Sequence, residues 1–395
     1  MLSHSLVHID LDTFFVSVER LKDSRLKNKP VLVGGNGDRG VVASCSYEAR
    51  AYGIHSAMPI RTAKMLCPHA VIVRGDYEHY SKYSNMVTDI IKENVPVFEK
   101  SSVDEFYIDM TGMEKFFGTF KYMQDVRNKI IKETGLPISF GLSENKTVSK
   151  VATGEAKPNN CMQIHYGEEK TFLAPLHVRK IPMVGEKTTE LLKKMGIIKI
   201  KTIQQMPMPV MTSILGENGT TIWKKANGID NTPIEPYSER KSISTEETFD
   251  QDTIDVKKLG SIISAMTEKL AYQMRTENKL TSCITVKVRY SDFETHTIQK
   301  KIAYTSTDHS LIATVKELFK KIYQRRVLIR LIGVKFSGLV FGGHQINLLE
   351  DSENLLRLYQ EMDFIRNKHG KNAVQRVSGM GYDFREFNPF NGIKK

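Results

Sequence analysis

Apolar and polar residues alternate from Leu6 to Leu11, and directly afterwards Phe15, Val18 and Leu21 take up helical spacing, so a strand and then a helix are expected. Two short β-rich runs follow, VLVGG and GVVASCS, with a glycine-rich turn between them, and YEARAYG reads as a brief helix closed by Gly53. Pro59 opens another helix at MPIRTAKML, and Pro68 ends it. After the strand AVIVRG comes a long helix from about Tyr77 to Asn94. PVFEKSS and EFYIDM then read as a hairpin with Val103 and Asp104 at its tip. A helix near Phe116 to Glu133 and a strand PISFGLS complete this part. With the segment between about Pro30 and Arg74 set aside as an insertion, the order is β, α, β, β, α, β. That is the split βαβ, ferredoxin-like arrangement.

From Lys180 to Ile197 the pattern is apolar, turn, then amphipathic helix, and short helices run on to about Gly228. NTPIEPYSERKS, residues 231 to 242, has two prolines, charges and no apolar periodicity, which marks it as a linker. Beyond it lie a strand near Ser244 to Phe249, a helix near Val256 to Thr276, the strands SCITVKVRY and THTIQKKIA, a helix near Leu311 to Arg325 and a strand LIGVKFSGL. This is a second α+β unit. The spacing of Leu355, Leu358, Tyr359, Met362 and Ile365 predicts an amphipathic helix in the tail, with no role assigned to it.

Composition adds a partner to this outline. The chain has 395 residues, which suits two to four domains, and Lys and Arg outnumber Asp and Glu by 57 to 45, a formal charge of +12. Such an excess suits a polyanion but serves solubility equally well. Cys45, Cys67, Cys161 and Cys283 are scattered and form neither a zinc motif nor a disulfide framework, so a reducing, cytoplasmic setting is expected. The N-terminus has no secretory pattern, and no apolar run approaches 18 residues; export and membrane insertion are not expected.

The candidate chemistry lies in the acids. Asp104 and Glu105 stand side by side in an otherwise strand-like segment, SVDEFYID, where burial would penalise two charges. The topology can bring Asp10, near the end of the first strand, to the hairpin tip. Converging carboxylates call for a shared cation, and hard oxygen ligands favour Mg²⁺ or Mn²⁺. Two such ions, about 3.5–4 Å apart, can clamp the attacking and leaving oxygens of a phosphoryl transfer. The plainer alternative is that Asp10 and Asp12 cap the first helix while Asp104 and Glu105 are solvated turn residues.

Taken together and in order, HIDLDTFFVSVE, ASCSYEARAYGIHSAMP, SSVDEFYID, GLSENKTVSKVATGEAKPN and IPMVGEKTTELLKKMGI resemble the signatures of the Y-family DNA polymerases. The SAMP and LCP segments are similar to those of the family's DinB branch, and the resemblance runs to about residue 378. It implies an α+β multidomain fold: a ferredoxin-like polymerase palm (1–10 and 75–165), small fingers (11–74), a helix-hairpin-helix thumb (166–230), the linker (231–242), an α+β little finger (243–343), and a clamp-binding peptide with the C-terminal tail (344–395).

By the same resemblance, Asp10, Asp104 and Glu105 are the catalytic acids and hold two Mg²⁺ ions, with Mn²⁺ as a possible substitute and the main-chain carbonyl of Leu11 as a further ligand. Tyr47 and Arg50, three apart on a short helix, share a face and would reach the triphosphate of the incoming dNTP together with Lys157; a surface pair is the bland reading of the first two. Phe15 occupies the place of the steric gate, a ring that clashes with a ribose 2′-hydroxyl and offers it no hydrogen bond. Phe14 is core or packs beneath the sugar, and Ser102 and Asp109 are assigned support of the hairpin.

Primer-template DNA is the expected partner. IPMVGEKTTELLKKMG resembles a helix-hairpin-helix, whose turn holds a DNA phosphate without regard to sequence; Gly185 and Lys187 belong to it, but Met183 replaces the usual first glycine. In the second unit Lys287, Arg289, Lys300, Lys301, Arg325, Arg326 and Arg330 form a basic surface across which the family lays DNA. HQINLLED, residues 344 to 351, resembles a sliding-clamp peptide, in which Gln345 hydrogen-bonds and Leu348 and Leu349 fill an apolar pocket. The expected function is DNA-directed, low-fidelity translesion synthesis by a monomer without proofreading. A catalytically dead DNA-binding scaffold and a nucleotidyl cyclase of the same palm topology are the alternatives; the first should lack an acid, the second the DNA-gripping units.

Overall fold

Strand β1 (Leu6–Leu11) is buried along almost its whole length because it runs through the middle of a five-stranded sheet. The computed structural model describes residues 4–35, 39–113, 118–342, 352–370 and 373–379. After β1 come helix α1 (Phe14–Lys22), strands β2 (Val31–Gly34) and β3 (Val42–Cys45), helices α2 (Tyr47–Arg50) and α3 (Ile60–Leu66), and strand β4 (Val71–Val73). Strands β3, β2 and β4 form a small separate sheet, and Leu32, Val42, Cys45, Ile54, Ile60 and Cys67 make a core of their own there.

Helix α4 (Tyr77–Asn94), strands β5 (Val97–Lys100) and β6 (Glu105–Asp109), helix α5 (Thr119–Thr134), strand β7 (Ile138–Ser143), helix α6 (Lys146–Ala156) and strand β8 (Cys161–Gln163) complete the large sheet, in the order β5-β6-β1-β7-β8. β6 lies between β1 and β5 and is antiparallel to both, which is the split βαβ arrangement expected from the pattern. Val7, Ile9, Leu11, Phe106, Ile108 and Phe140 point to one face and share a core with Val87 and Ile91 of α4 and Met123, Val126 and Ile130 of α5. The alternate residues His8, Asp10, Glu105, Tyr107, Ser139 and Gly141 therefore occupy the other face, since side chains along a strand alternate. There His8 stands opposite both Tyr107 and Gly141, and Asp10 opposite both Glu105 and Ser139.

Helix α6 covers part of that polar face and comes so close to β7 that a Cβ on Gly141 would lie 2.3 Å from the Ser149 carbonyl oxygen. Its residues Val148, Val151 and Ala152 join the core of a helical lobe made of α7 (Glu169–Leu173), α8 (Glu186–Lys194), α9 (Ile200–Gln205), α10 (Met208–Leu215) and α11 (Glu217–Ala226). Neither α6 nor β8 is evident from periodicity alone.

Two compact units divide the chain, and the boundary falls between Ser238 and Glu239. The second unit holds β9 (Ser242–Thr253), α12 (Val256–Thr276), β10 (Lys279–Tyr290), β11 (Thr295–Thr305), α13 (Asp308–Ile322), β12 (Ile329–Phe341) and α14 (Ser352–His369). Its sheet runs β11-β10-β12-β9, with Ile284, Val286, Val288, Ile332, Val334 and Phe336 buried together with α12 and α13. The predicted tail helix exists and packs against this unit: Tyr359 is 1% exposed and Arg366 4% exposed. Arg275 of α12 bonds Asp308 at 2.6 Å and Asp363 of α14 at 2.6 Å, and Arg366 pairs with Glu268.

Candidate active site

The register of β1 and β6 sets Asp10 directly opposite Glu105, and the N–H of Leu11 donates to the Asp104 carbonyl at 3.0 Å. Asp10, the Leu11 peptide, Asp104 and Glu105 thus meet at one end of the polar face. The hairpin tip is held by Ser102, whose hydroxyl donates to the Asp104 carboxylate at 2.5 Å and accepts from the Glu105 N–H at 3.0 Å. Asp109 sits at the far end of β6 and accepts from the Thr111 N–H at 2.9 Å, so its part is confined to the turn there.

Three carboxylates in a partly buried cluster need counter-charges, and two lysines supply them. Lys157, just after α6, lies 2.5 Å from Asp10 and 3.8 Å from Asp12, and Lys150 of α6 lies 2.6 Å from Glu105. Burial nonetheless raises Asp10 to about 7, against the pull of Lys157, and raises Asp104 as well, against the Ser102 hydrogen bond. At Glu105 burial is outweighed by His8 and Lys150, which hold the carboxyl down at about 2. His8 itself is buried, and desolvation lowers it to about 4, so its imidazole is neutral; its Nδ1 is 2.9 Å from the Thr153 hydroxyl.

Asp12 is 1% exposed and caps no helix. The residue before α1 is Thr13, without a side-chain capping bond, and Asp12 instead accepts from the Ser139 hydroxyl at 2.9 Å and the Asn159 N–H at 2.5 Å. It fastens the loop that carries Lys157 to the sheet. This role, and those of Lys150 and His8, escape sequence reasoning; the one signal was the pair Lys146 and Lys150, four apart in a helix that, apart from Glu155, is otherwise made of small and apolar residues. Both project onto the sheet, where Lys146 bonds Glu99 at 2.6 Å.

The expected triphosphate residues converge on the same place. Arg50 lies over the Tyr47 ring at 5.0 Å, and Arg50 is exposed. The Tyr47 hydroxyl is buried without a hydrogen-bond partner, and burial together with the nearby Asp12 raises its pKa well above the usual phenol range. A buried orphan hydroxyl is a donor still to be satisfied. Phe15 is half-buried, and its ring stacks on Tyr80 at 4.3 Å. Phe14 requires a correction: at 2% exposure its side chain lies in the core because that side of α1 faces the sheet, and it offers no surface to a nucleotide.

Could the acids hold a divalent ion? Among the described residues no group of three His, Cys, Asp or Glu side chains is already arranged to do so, because Lys157, Lys150 and Ser102 occupy the carboxylate oxygens. The donor chemistry fits all the same. All three acids are hard oxygen donors, and burial leaves Asp10 and Asp104 poorly compensated as they stand, so a cation bound there would relieve that cost.

The DNA-holding expectations divide. Gly185 precedes α8 with Lys187 exposed in its first turn, and Met183 takes the left-handed conformation that glycine favours, with φ of 80°. The hairpin turn therefore forms in spite of the replacement. In the second unit Lys287, Arg289, Lys301 and Lys335 share the sheet face away from the helices; Lys335 was not foreseen. Lys287 is paired there with Glu246 at 2.9 Å, and Arg289 bonds the Thr295 hydroxyl at 2.8 Å. Lys300 needs correcting, because strand alternation turns it towards α13, where it pairs with Glu317 at 2.7 Å. Arg325 pairs with Asp292 and Glu294 and is not a free cation. Gln345, Leu348 and Leu349 lie outside the described residues.

An acid-bearing split βαβ sheet, joined to a helical hairpin lobe and followed by a second sheet unit, defines the class of template-directed nucleic-acid polymerases. The impB/mucB/samB family matches residues 9–154, its C-terminal domain residues 240–348, and the IMS family HHH motif residues 166–197. A DNA polymerase IV of Dehalococcoides mccartyi is 38% identical over 374 residues, covering 94% of this chain and 96% of the relative. A DNA polymerase IV of Treponema denticola is 35% identical, covering 93% and 95%. Among solved structures, a Y-family DNA polymerase chimera superposes with a TM-score of 0.75 at 25% identity, over 86% of this chain and 100% of that one. The chain belongs to the impB/mucB/samB family, the DinB-type Y-family DNA polymerases.

Proposed function

We infer that the protein is a DNA-directed DNA polymerase of the translesion class, a nucleotidyltransferase that extends a primer opposite damaged as well as intact template bases. Family membership carries the activity, and the convergence of Asp10, Asp104 and Glu105 at one end of the polar face supports their assignment as its catalytic centre. The helical hairpin and the second sheet unit disfavour a nucleotidyl cyclase, and the presence of all three acids disfavours an inactive scaffold.

In the reaction the primer 3′-hydroxyl attacks the α-phosphate of a dNTP and pyrophosphate leaves. The family requires a divalent metal; we propose Mg²⁺, as two ions held by Asp10, Asp104, Glu105 and the Leu11 carbonyl, which would lower the charge on the attacking and leaving oxygens. Tyr47, Arg50 and Lys157 bind and orient the triphosphate; Lys157, which pairs with Asp10 in this structure, would exchange that carboxylate for phosphate oxygens once Asp10 held a cation. Ser102 and Lys150 hold Asp104 and Glu105 at the tip, and Asp12 holds the Lys157 loop. Phe15 presses its ring against the sugar. We further propose a palm, fingers and thumb in the first unit and a little finger in the second, a monomeric and cytoplasmic state, and a sliding-clamp contact through Gln345, Leu348 and Leu349. Among the described residues no helix is long and apolar enough to cross a membrane.

The decisive experiment is primer extension by Asp104→Ala with dNTPs and Mg²⁺ on undamaged and lesion-bearing templates. Extension should be lost on both while primer-template affinity is kept within about threefold; retained extension removes Asp104 from the centre.

A further inference from the structure

We propose that Phe293 and Arg330 form a stacking platform for an unpaired nucleobase of single-stranded template DNA, a proposal that rests on the polymerase reading above. Phe293 sits in the tight turn between β10 and β11, where the Tyr290 N–H donates to the Glu294 carbonyl and the Phe293 N–H to the Tyr290 carbonyl, both at 3.0 Å. Its φ is 66°, in the left-handed region, where a bulky side chain is an outlier and glycine or asparagine is free of strain. Core packing does not compensate, because Phe293 is 63% exposed. Neither local conformation nor burial therefore accounts for a phenyl ring at this position. A strained, exposed residue of this kind points to a function in binding.

The surroundings say what it binds. The guanidinium of Arg330 lies 4.5 Å over the Phe293 ring and covers one face. Among the described residues Arg330 has no carboxylate partner, whereas the turn's own acids, Asp292 and Glu294, are both paired with Arg325, and Glu294 also with His296. Next to the turn, Arg289 and Thr295 form the last rung of the β10–β11 ladder, with the Arg289 guanidinium bonded to the Thr295 hydroxyl. An open aromatic face, backed by one guanidinium without a carboxylate and with a second close by, matches a ligand that has a flat π surface and a phosphate next to it. An unstacked nucleotide of a single strand has both, and stacking of this sort tolerates any base. Duplex DNA, whose bases are already stacked, offers only its phosphates.

The test uses the full-length protein and three DNA probes with equal numbers of phosphates: a blunt duplex, a primer-template with a 5′ template overhang, and a single-stranded oligonucleotide, each variant being compared with the parent on the same probe. Phe293→Ala should weaken binding of the overhang and single-stranded probes by roughly fivefold or more, leave the blunt duplex within twofold, and leave the slope of log affinity against log salt unchanged, since no phosphate contact is lost. Phe293→Trp should keep the affinity, and the emission of the introduced indole, measured as the difference from the parent with Trp223 alone, should be quenched by the single strand. Equal loss on all three probes, or an introduced indole that the single strand leaves unquenched, overturns the platform and leaves Phe293 a structural residue of the turn. Failure of the parent protein to bind any of the probes overturns the polymerase reading, and the platform with it.

Discussion

Phe15 is held by its neighbours as much as by its own backbone. Its ring stacks on Tyr80, whose hydroxyl donates to Glu19 at 2.7 Å, while Lys22 joins Glu19 and Asp76 at the start of α4. The sugar-sensing role proposed for Phe15 requires a ring rigid to within a fraction of an oxygen radius, and this chain of contacts between α1 and α4 provides that rigidity. Phe15→Ala should therefore raise ribonucleotide incorporation by roughly 100-fold or more relative to dNTP use, read from single-nucleotide insertion rates. A second residue-scale outcome concerns Lys100 on β5, which burial lowers to about 8 although its ammonium reaches the Thr88 hydroxyl at 2.9 Å. Because the folded state binds this proton less well than the unfolded chain, the penalty is full at and below pH 8 and fades as pH rises towards 10.5. Lys100→Met should thus stabilise the protein by about 1 kcal/mol at pH 7, after allowance for partial exposure, with the gain shrinking towards pH 10 in denaturant titrations.

At the scale of elements, α6 decides the geometry of the site. It brings Lys150 to Glu105, Thr153 to His8 and, at its end, Lys157 to Asp10, and it does so by resting its backbone on Gly141. A methyl group there would meet the Ser149 oxygen at 2.3 Å and the Thr153 nitrogen at 2.6 Å, both backbone atoms that cannot swing aside. Gly141→Ala should cost about 3 kcal/mol and lower primer extension more than DNA affinity, measured by chemical denaturation and anisotropy. This element also marks the limit of what could be read in advance. The strands and helices of the sheet were legible because their alternation and 3.6-residue periods are strong, and α12 ends where the pattern says. α6 was not, since threonine, serine, glycine and alanine give a helix packed on both sides no periodic signature. The acids were legible as a cluster once topology paired β1 with β6, whereas the place of Asp12, for which capping of the first helix was the plainer alternative, was not, because its partners, Ser139 and Asn159, are 127 and 147 residues away.

For the whole molecule, the net charge of +12 says less than its distribution. Lys301 and Lys335 are exposed on the open sheet face, whereas Lys287 there is already engaged by Glu246. If this face lies along phosphates, Lys335→Ala should lower the log–log salt slope of duplex binding by about 1, and Lys287→Ala by clearly less. Equal slopes for the two variants would mean that the face does not touch DNA. Which cations were free could not be told from sequence, since strand alternation fixes the face of a lysine but not its acidic neighbour.

The docking of α14 bears on the gene as well as the fold. Asp308 is fully buried, and Glu268 and Asp363 lie beneath Arg275, Arg366 and Arg376, so the arginines that satisfy these acids come partly from the last described turn of the chain. Removing one partner of a buried pair costs about 3–5 kcal/mol. The 3′ end of an open reading frame is commonly its most expendable stretch. Here a stop codon shortly after β12 would leave Glu268 without Arg366 and Arg275 without Asp363, and the shortened product would be lost to misfolding and proteolysis rather than persist as an active polymerase.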